Sequence, residues 1–188
     1  MAAEILYASG DPLSAAALFE QAAKRLPSDR AVVVGLVASY AALNRAGDAR
    51  RSAGLLPEQV DVCLALAWGE LVALGGDPDR GVAIVASIAK DPELARSPER
   101  IAMHHALEAI IAARSHDRED VRAKLRAAER SASKLRAGDR AFLGYLGGVA
   151  LRESGLIDDA RATFALAMEA SPASIGAALA RRERANLG

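Results

Sequence analysis

The chain has 188 residues, of which 52% are hydrophobic and 26% are charged, and this is the composition of a folded globular protein. Its 24 basic and 24 acidic residues cancel, which excludes a global field that would draw the chain to nucleic acid or to anionic lipid. The single cysteine, Cys63, excludes an intramolecular disulfide and a multi-cysteine metal site.

The sequence predicts neither export nor membrane insertion. Residues 1–10 include Glu4 and lack the basic leader and apolar run of a signal peptide. The Ala-rich stretch 62–74 is interrupted by Glu70, and no stretch reaches the roughly 18 apolar residues of a membrane span. We therefore expect a cytoplasmic protein.

Apolar residues recur at intervals of three and four positions along almost the whole chain, whereas the strict alternation of a strand is hard to find. Ala, Leu, Arg and Glu, which are good helix formers, dominate these segments. The pattern predicts an all-α protein whose helices span residues 2–9, 12–26, 29–43, 46–55, 59–74, 78–91, 98–114, 117–136, 139–154, 156–170 and 173–186.

The predicted turns have a chemical signature. A Gly-Asp-Pro triplet occurs at 10–12 and again at 76–78, and Ser-Pro-Glu occurs at 97–99. Glycine suits the left-handed end of a helix, aspartate or serine caps the next helix, and proline is favoured at its first position. Because the turns are short, neighbouring helices are expected to be antiparallel and to form a row of hairpins.

The two ends of the chain share an internal repeat. Five residues near the start recur near the end at a constant offset of 145 positions. The chain contains only three Phe and seven Pro, so a match at Phe and Pro positions is hard to attribute to chance. The two sets are Gly10, Ala15, Phe19, Ala22 and Pro27, and Gly155, Ala160, Phe164, Ala167 and Pro172.

This pattern resembles the tetratricopeptide repeat, in which a small residue, an alanine, a phenylalanine and a later proline recur. Gly148 fits the small position on the first helix of the last hairpin, and Leu36 and Tyr40 match the second unit. We call the position of Ala15, which requires a small residue, the small slot. In the later units we expect it to be occupied by Ala49, Gly81, Val121 and Ala160. Both phenylalanines are expected to pack toward the neighbouring hairpin.

The resemblance implies a single domain, 1–188, built as a right-handed solenoid of about five hairpins. The expected units are 1–28, 29–57, 58–95, 96–137 and 138–172, and a capping helix at 173–186 would cover the last one. The first hairpin begins at Met1 and is therefore truncated. Either the native array opens with half a hairpin or the chain is part of a longer protein, and the second interpretation is favoured.

The resemblance also implies a non-enzymatic scaffold or adaptor whose first helices form a concave groove for a peptide or helix of a partner. Counting back from the small slot of each unit assigns the family's groove positions to residues of this chain. They are Cys63, Leu66, Glu70, Met103, Ala106, Ile110, Phe142, Tyr145, Val149 and Arg152. Glu70 and Arg152 would orient the ligand. The alternative for each is that the residue lies in the core or is covered by a neighbouring helix.

Two other functions are also consistent with the sequence. The chain could be a domain of a larger regulatory or secretion-system protein that mediates self-association or sensing, or it could be a nucleic-acid-binding repeat.

Four further features could be sites of chemistry, but we expect a structural role for each. Adjacent His104 and His105 point about 100° apart and lack a third ligand, so no metal site is predicted. Cys63 resembles a small buried hydrophobe. The glycines at 144, 147 and 148 suit close helix packing and lack the context of a phosphate loop. Neither an enzyme nor a cofactor is predicted.

The fourth cluster is a basic ridge with a four-residue spacing. Acidic neighbours dilute it, and its members rotate by about 40° at each step around the helix. We therefore expect a solvated face rather than a nucleic-acid interface. The ridge consists of Arg118, Arg122, Arg126, Arg130 and Lys134.

Overall fold

The structure is a computed structural model in which residues 2–187 are described; Met1 and Gly188, the end residues of the predicted 1–188 domain, lie outside this range. Every regular element in the described range is helical, which confirms the all-α prediction. The helices are α1 Ala2–Ala8, α2 Pro12–Ala23, α3 Arg30–Ala42, α4 Ala46–Ala53, α5 Val60–Val72, α6 Pro78–Ile88, α7 Pro98–Arg114, α8 Arg118–Ala132, α9 Ala137–Glu153, α10 Ile157–Ala170 and α11 Ile175–Ala185.

The helix starts follow the predicted capping chemistry. The side chains of Asp11, Asp77 and Ser97 accept hydrogen bonds from the amides three residues later, at 3.0, 3.2 and 3.4 Å. In each case the following proline opens the helix. Gly10 has a φ of 83°, a conformation that glycine adopts without strain.

Three helices end three or four residues earlier than predicted: α2 at Ala23, α6 at Ile88 and α8 at Ala132. α2 stops three residues before the predicted 26 because the amides of Arg25 and Leu26 both turn back to the carbonyl of Ala22. A short 3-10 turn, Leu94–Arg96, lies in a segment that the periodicity left unassigned.

The chain divides into two compact units, Met1–Leu94 and Ala95–Gly188, which we call the N-terminal and C-terminal units. The N-terminal unit contains the hairpins α1/α2, α3/α4 and α5/α6, and α3 packs between α1 and α5. The C-terminal unit contains α7/α8 and α9/α10, and α11 packs on both α9 and α10. Five hairpins and a covering helix are thus confirmed, whereas a single domain over 1–188 stays a prediction.

The small slots of the repeat all lie in the cores, as predicted. A Cβ atom added at Gly81 would come within 2.7 Å of the Leu71 side chain, so this slot accepts only glycine without rearrangement. The buried slot residues are Ala15, Ala49, Gly81, Val121 and Ala160.

The two signature phenylalanines both pack against a glycine, but on different hairpins. The ring of Phe19 in α2 fills the space where a Gly35 side chain would lie, so it contacts the following hairpin, as predicted. The ring of Phe164 in α10 fills the corresponding space at Gly148 in α9, the first helix of its own hairpin. At this contact the prediction that Phe164 points to a neighbouring hairpin is wrong, because Gly148 opens a hole within the hairpin itself.

Tyr40 joins α3 to α2. Its hydroxyl donates a 2.6 Å hydrogen bond to Glu20, and the guanidinium of Arg45 lies 4.6 Å from its ring centroid. Burial, reinforced by the bond to Glu20, raises the pKa of Tyr40 to about 12.

The remaining signature residues behave as the repeat requires. Leu36 and Ala167 are buried, Ala22 is half-buried, and Pro27 and Pro172 are exposed beyond helix ends. Gly155 has a φ of 78°.

The capping helix α11 approaches α9 closely. Ile175 and Leu179 are buried, and a Cβ at Gly176 would overlap the backbone of α9, lying 2.6 Å from the Cα atom of Phe142. Ser174 caps the helix by accepting a 3.3 Å hydrogen bond from the Ala177 amide. Across residues 2–187, no helix is long and apolar enough to cross a membrane.

Candidate partner-binding cleft

A cleft of about 590 Å³ opens in the N-terminal unit between α1, α3 and α5, the first helices of its three hairpins. Tyr7 of α1 lines one wall, and Val34 and Ala38 of α3 line another. The Phe19 ring, seated against Gly35, forms the floor. The cleft is therefore apolar inside.

The α3 wall follows from helical periodicity. Ala31, Val34 and Ala38 are spaced by three and four residues and so lie on one face of the helix. Each is exposed or half-buried, unlike Val33 and Val37 of the same helix, which are 0% exposed in the core. The small side chains on this face leave the space that a larger residue would fill.

The rim of the cleft carries more acid than base. Asp29 caps α3 by accepting a 3.0 Å hydrogen bond from the Val32 amide, and Arg30 forms an ion pair with Asp61 in the first turn of α5. Glu4 of α1 adds a third carboxylate against the one guanidinium. The rim therefore has a net negative charge, which favours a basic ligand.

Sequence reasoning placed the α5 part of the groove on a different face. Relative to Asp61, the positions of Cys63, Leu66 and Glu70 are rotated by about 200°, 140° and 180° around the helix. Leu66 is 8% exposed and packs in the core, and Cys63 is half-buried with its thiol 3.3 Å from the Pro57 carbonyl. None of the three lines the cleft.

Glu70 has a structural role in place of the predicted ligand contact. Its carboxylate is buried and accepts two hydrogen bonds from Arg50 of α4, at 2.5 and 2.7 Å. It also accepts a 2.8 Å bond from the Asp77 amide in the turn before α6. The prediction that Glu70 orients a ligand is therefore corrected: it links α4, α5 and the start of α6.

In the C-terminal unit, the predicted groove stripe on α9 lies under α11. Gly176 of α11 packs on the backbone at Phe142, and Glu183 of α11 forms an ion pair with Arg152. Tyr145 and Val149, between these two points on the same face, are both 0% exposed. For this stripe the structure favours the alternative of a face covered by a neighbouring helix.

The predicted residues of α7 are also largely internal. Ala106 and Ile110 are 1% and 0% exposed, whereas Met103 is half-buried. That any of these side chains contacts a partner stays a prediction.

Sequence reasoning missed Tyr7, Val34 and Ala38, together with the ion pair between Arg30 and Asp61. The available signal was the three- and four-residue spacing of small apolar residues along α3. It was missed because the transfer from the small slots began only at the third hairpin. The same spacing counted back from Ala49 and Ala15 reaches Val34, Ala38 and Tyr7.

The glycine cluster of α9 has the predicted packing role. A Cβ at Gly144 would lie 3.0 Å from Ala167 of α10, and one at Gly147 would lie 3.4 Å from Leu125 of α8. These positions let α9 approach its neighbours closely.

The basic ridge of α8 is a solvated face, as expected, because all five of its residues are exposed. In the basic ridge of α8, Arg118 donates a 3.1 Å hydrogen bond to the Ser154 carbonyl, and Arg122 pairs with Asp159 at 3.3 Å. Burial raises the pKa of the Cys63 thiol, which opposes formation of a nucleophilic thiolate.

The histidine pair has a carboxylate within reach, although the two side chains point about 100° apart on the helix. The Nδ1 atoms of His104 and His105 lie 3.6 and 2.8 Å from the same oxygen of Glu108.

Residues 6–74 match the family model described as tetratricopeptide repeat. The matched segment includes the end of α1 and all of α2 to α5, and thus most of the cleft. No curated protein and no solved structure matches the chain.

Proposed function

Because residues 6–74 belong to the tetratricopeptide repeat family, whose repeats generally mediate protein–protein interaction, we propose that the cleft of the N-terminal unit binds a peptide or helix of a partner protein. The observation that carries this proposal is the convergence of three successive first helices on one apolar cleft with an acidic rim. The protein would act as a scaffold or adaptor.

The cleft chemistry selects the kind of segment that it would take. A volume of about 590 Å³ is comparable to that of ordinary ligand pockets, and the open shape of the cleft suits a segment that lies across it. Tyr7, Val34 and Ala38 suit an apolar side chain, whereas Glu4 and Asp61 favour Lys or Arg beside it. The acidic rim would contribute mainly to association rate and specificity, and the apolar contacts would slow dissociation.

The polar groups of the cleft support binding rather than catalysis. Asp29 is engaged in capping α3, and Arg30 is engaged with Asp61. Neither arrangement pairs a nucleophile with a general base, which is the usual signature of covalent catalysis.

The test begins with selection of peptides from a random displayed library on the full chain. The affinity of a selected peptide is then measured by calorimetry for the wild type and for Ala38→Arg. The new side chain would fill the cleft and repel a basic ligand, so we expect the dissociation constant to rise by about tenfold or more.

Ala17→Arg is the matched control, because Ala17 is an exposed residue of α2 in the same unit and does not line the cleft. It should bind the peptide as the wild type does. Recovery of no specific peptide, or equal binding by Ala38→Arg with native circular dichroism, would refute the proposal.

The same peptide separates this cleft from the groove predicted from the sequence in the C-terminal unit. Met103 is half-buried in α7 and lies outside the cleft. We therefore expect Met103→Ala to leave the affinity unchanged. A loss of binding in this variant alone would favour the groove predicted from the sequence.

A further inference from the structure

A cluster of three metal-ligand side chains lies on α7 of the C-terminal unit. One donor atom from each of His104, His105 and Glu108 falls within 4.8 Å of the other two. The Nδ1 atom of His105 lies 2.8 Å from Oε2 of Glu108, and that of His104 lies 3.6 Å from the same oxygen.

The helical register explains why the three converge. If His104 is placed at 0° around the helix, His105 lies at about 100° and Glu108 at about 40°. Glu108 is therefore between the two histidines when the helix is viewed down its axis, and it is one turn away from both. The ring centroids lie 6.0 Å apart with planes at 70°, so the two imidazoles meet edge to face rather than stacked.

Glu108 also has a partner on the neighbouring helix. Lys124 of α8 donates a 3.0 Å hydrogen bond to Oε1 of Glu108. His104 is buried, whereas His105, Glu108 and Lys124 are half-buried and therefore accessible from solvent.

We propose that His104, His105 and Glu108 form a binding site for a divalent transition-metal ion of the zinc class, which displaces Lys124 from Glu108. Zinc binds histidine nitrogen and carboxylate oxygen at about 2.0–2.2 Å, so tetrahedral ligand atoms lie about 3.3 Å apart. The separations of 2.8 and 3.6 Å from Glu108 bracket this value. Small side-chain rotations bring the donors into place, and solvent completes the coordination.

The donor set also selects the metal. Imidazole nitrogen suits zinc, cobalt and nickel, whereas magnesium and calcium prefer sites built from oxygen. The site lies in the C-terminal unit and does not contribute to the proposed peptide cleft. Metal binding is thus a second property of the chain.

The test is calorimetric titration of Zn²⁺ into the full chain, prepared without a histidine tag and stripped of metal with a chelator. We expect saturable binding of one ion per chain. His105→Ala and Glu108→Gln each remove one ligand and should raise the dissociation constant by about tenfold or more.

His116→Ala is the matched control, because His116 is the third histidine of the chain and lies in the turn before α8, outside the cluster. It should bind Zn²⁺ as the wild type does. Absence of saturable binding to the wild type, or equal affinities of His105→Ala and His116→Ala, would overturn the proposal.

Lys124→Met provides an opposite effect that loss of folding cannot mimic. Because the ammonium group competes with the metal for Glu108, its removal should tighten Zn²⁺ binding by roughly two- to fivefold. Unchanged or weaker binding in this variant would count against Glu108 as a ligand and thus against the site. Mg²⁺ should not compete with Zn²⁺, and effective competition would exclude the nitrogen ligands.

Discussion

The two units use the same hairpin but leave its first-helix face in different states. In the N-terminal unit, Val34 and Ala38 of α3 border a cleft. In the C-terminal unit, the stripe on α9 that includes Tyr145 and Val149 is buried at the face where α11 packs. The difference arises from one additional helix rather than from the hairpin itself, so similar repeat signatures can border either an open cleft or a buried face.

The phenylalanine contacts show the same contrast at the level of one side chain. Phe19 spans from α2 to the next hairpin at Gly35 and forms the floor of the cleft, where it is 5% exposed. Phe164 fills the interior of its own hairpin at Gly148 and is 0% exposed. Phe19 therefore borders an open cleft, whereas Phe164 lies fully inside a hairpin.

Replacing these rings gives the largest expected effects. Phe164→Ala leaves a dry cavity next to Gly148 and should lower the free energy of unfolding by about 3–5 kcal/mol. Phe19→Ala opens onto the cleft, where water can enter, and should cost about 2–3 kcal/mol. Urea unfolding followed by circular dichroism measures both.

The comparison depends on the order of these two values. A larger loss for Phe19→Ala would show that its ring is the more deeply packed one, contrary to the structure. Thermal and urea midpoints unchanged by Phe164→Ala would contradict the packing role of the signature itself.

Local rules predicted most of the fold. The capping chemistry of Asp11, Asp77 and Ser97 acts within one helical turn, so it placed three helix starts correctly. The repeat register likewise placed small residues such as Ala15 and Ala160 in the cores. The turn at Leu94–Arg96 was missed because it is too short to show a period.

The candidate site was harder to predict because it depends on which helix covers which face. The position of Glu70 on a first helix suggested a ligand contact, but Arg50, which is 20 positions earlier, binds its carboxylate. The spacing of Phe142 and Arg152 correctly placed them on one stripe, yet only the tertiary structure shows α11 packed against it. The helical register already places Glu108 between His104 and His105, but the distances between their donor atoms come only from side-chain geometry.

The covering of α9 by α11 can be weakened at a single glycine. A methyl group at Gly176 would overlap the backbone of Phe142, which cannot move aside as a flexible side chain can. Gly176→Ala should therefore lower the free energy of unfolding by about 1–3 kcal/mol, although alanine is the better helix former. Gly138→Ala is the control, since its Cβ would make only a 3.9 Å contact with Ser174, and its stability should be equal or slightly higher. Equal effects in the two variants would show that α11 does not pack closely on α9.

The smallest effect concerns Tyr40, which joins α3 to α2 through its bond to Glu20. Its pKa is raised from 10.0 to about 12 in the folded chain, so the unfolded chain loses the phenolic proton first as the pH rises. The stability that the neutral hydroxyl contributes is fully present below pH 10.0 and is lost between 10.0 and about 12. Urea unfolding of the wild type and of Tyr40→Phe should therefore differ by on the order of 1 kcal/mol at pH 9 and by progressively less above pH 10. A difference that stays constant over this range would mean that the hydroxyl gains no protection from burial or from Glu20, and that α2 and α3 are held by apolar packing alone.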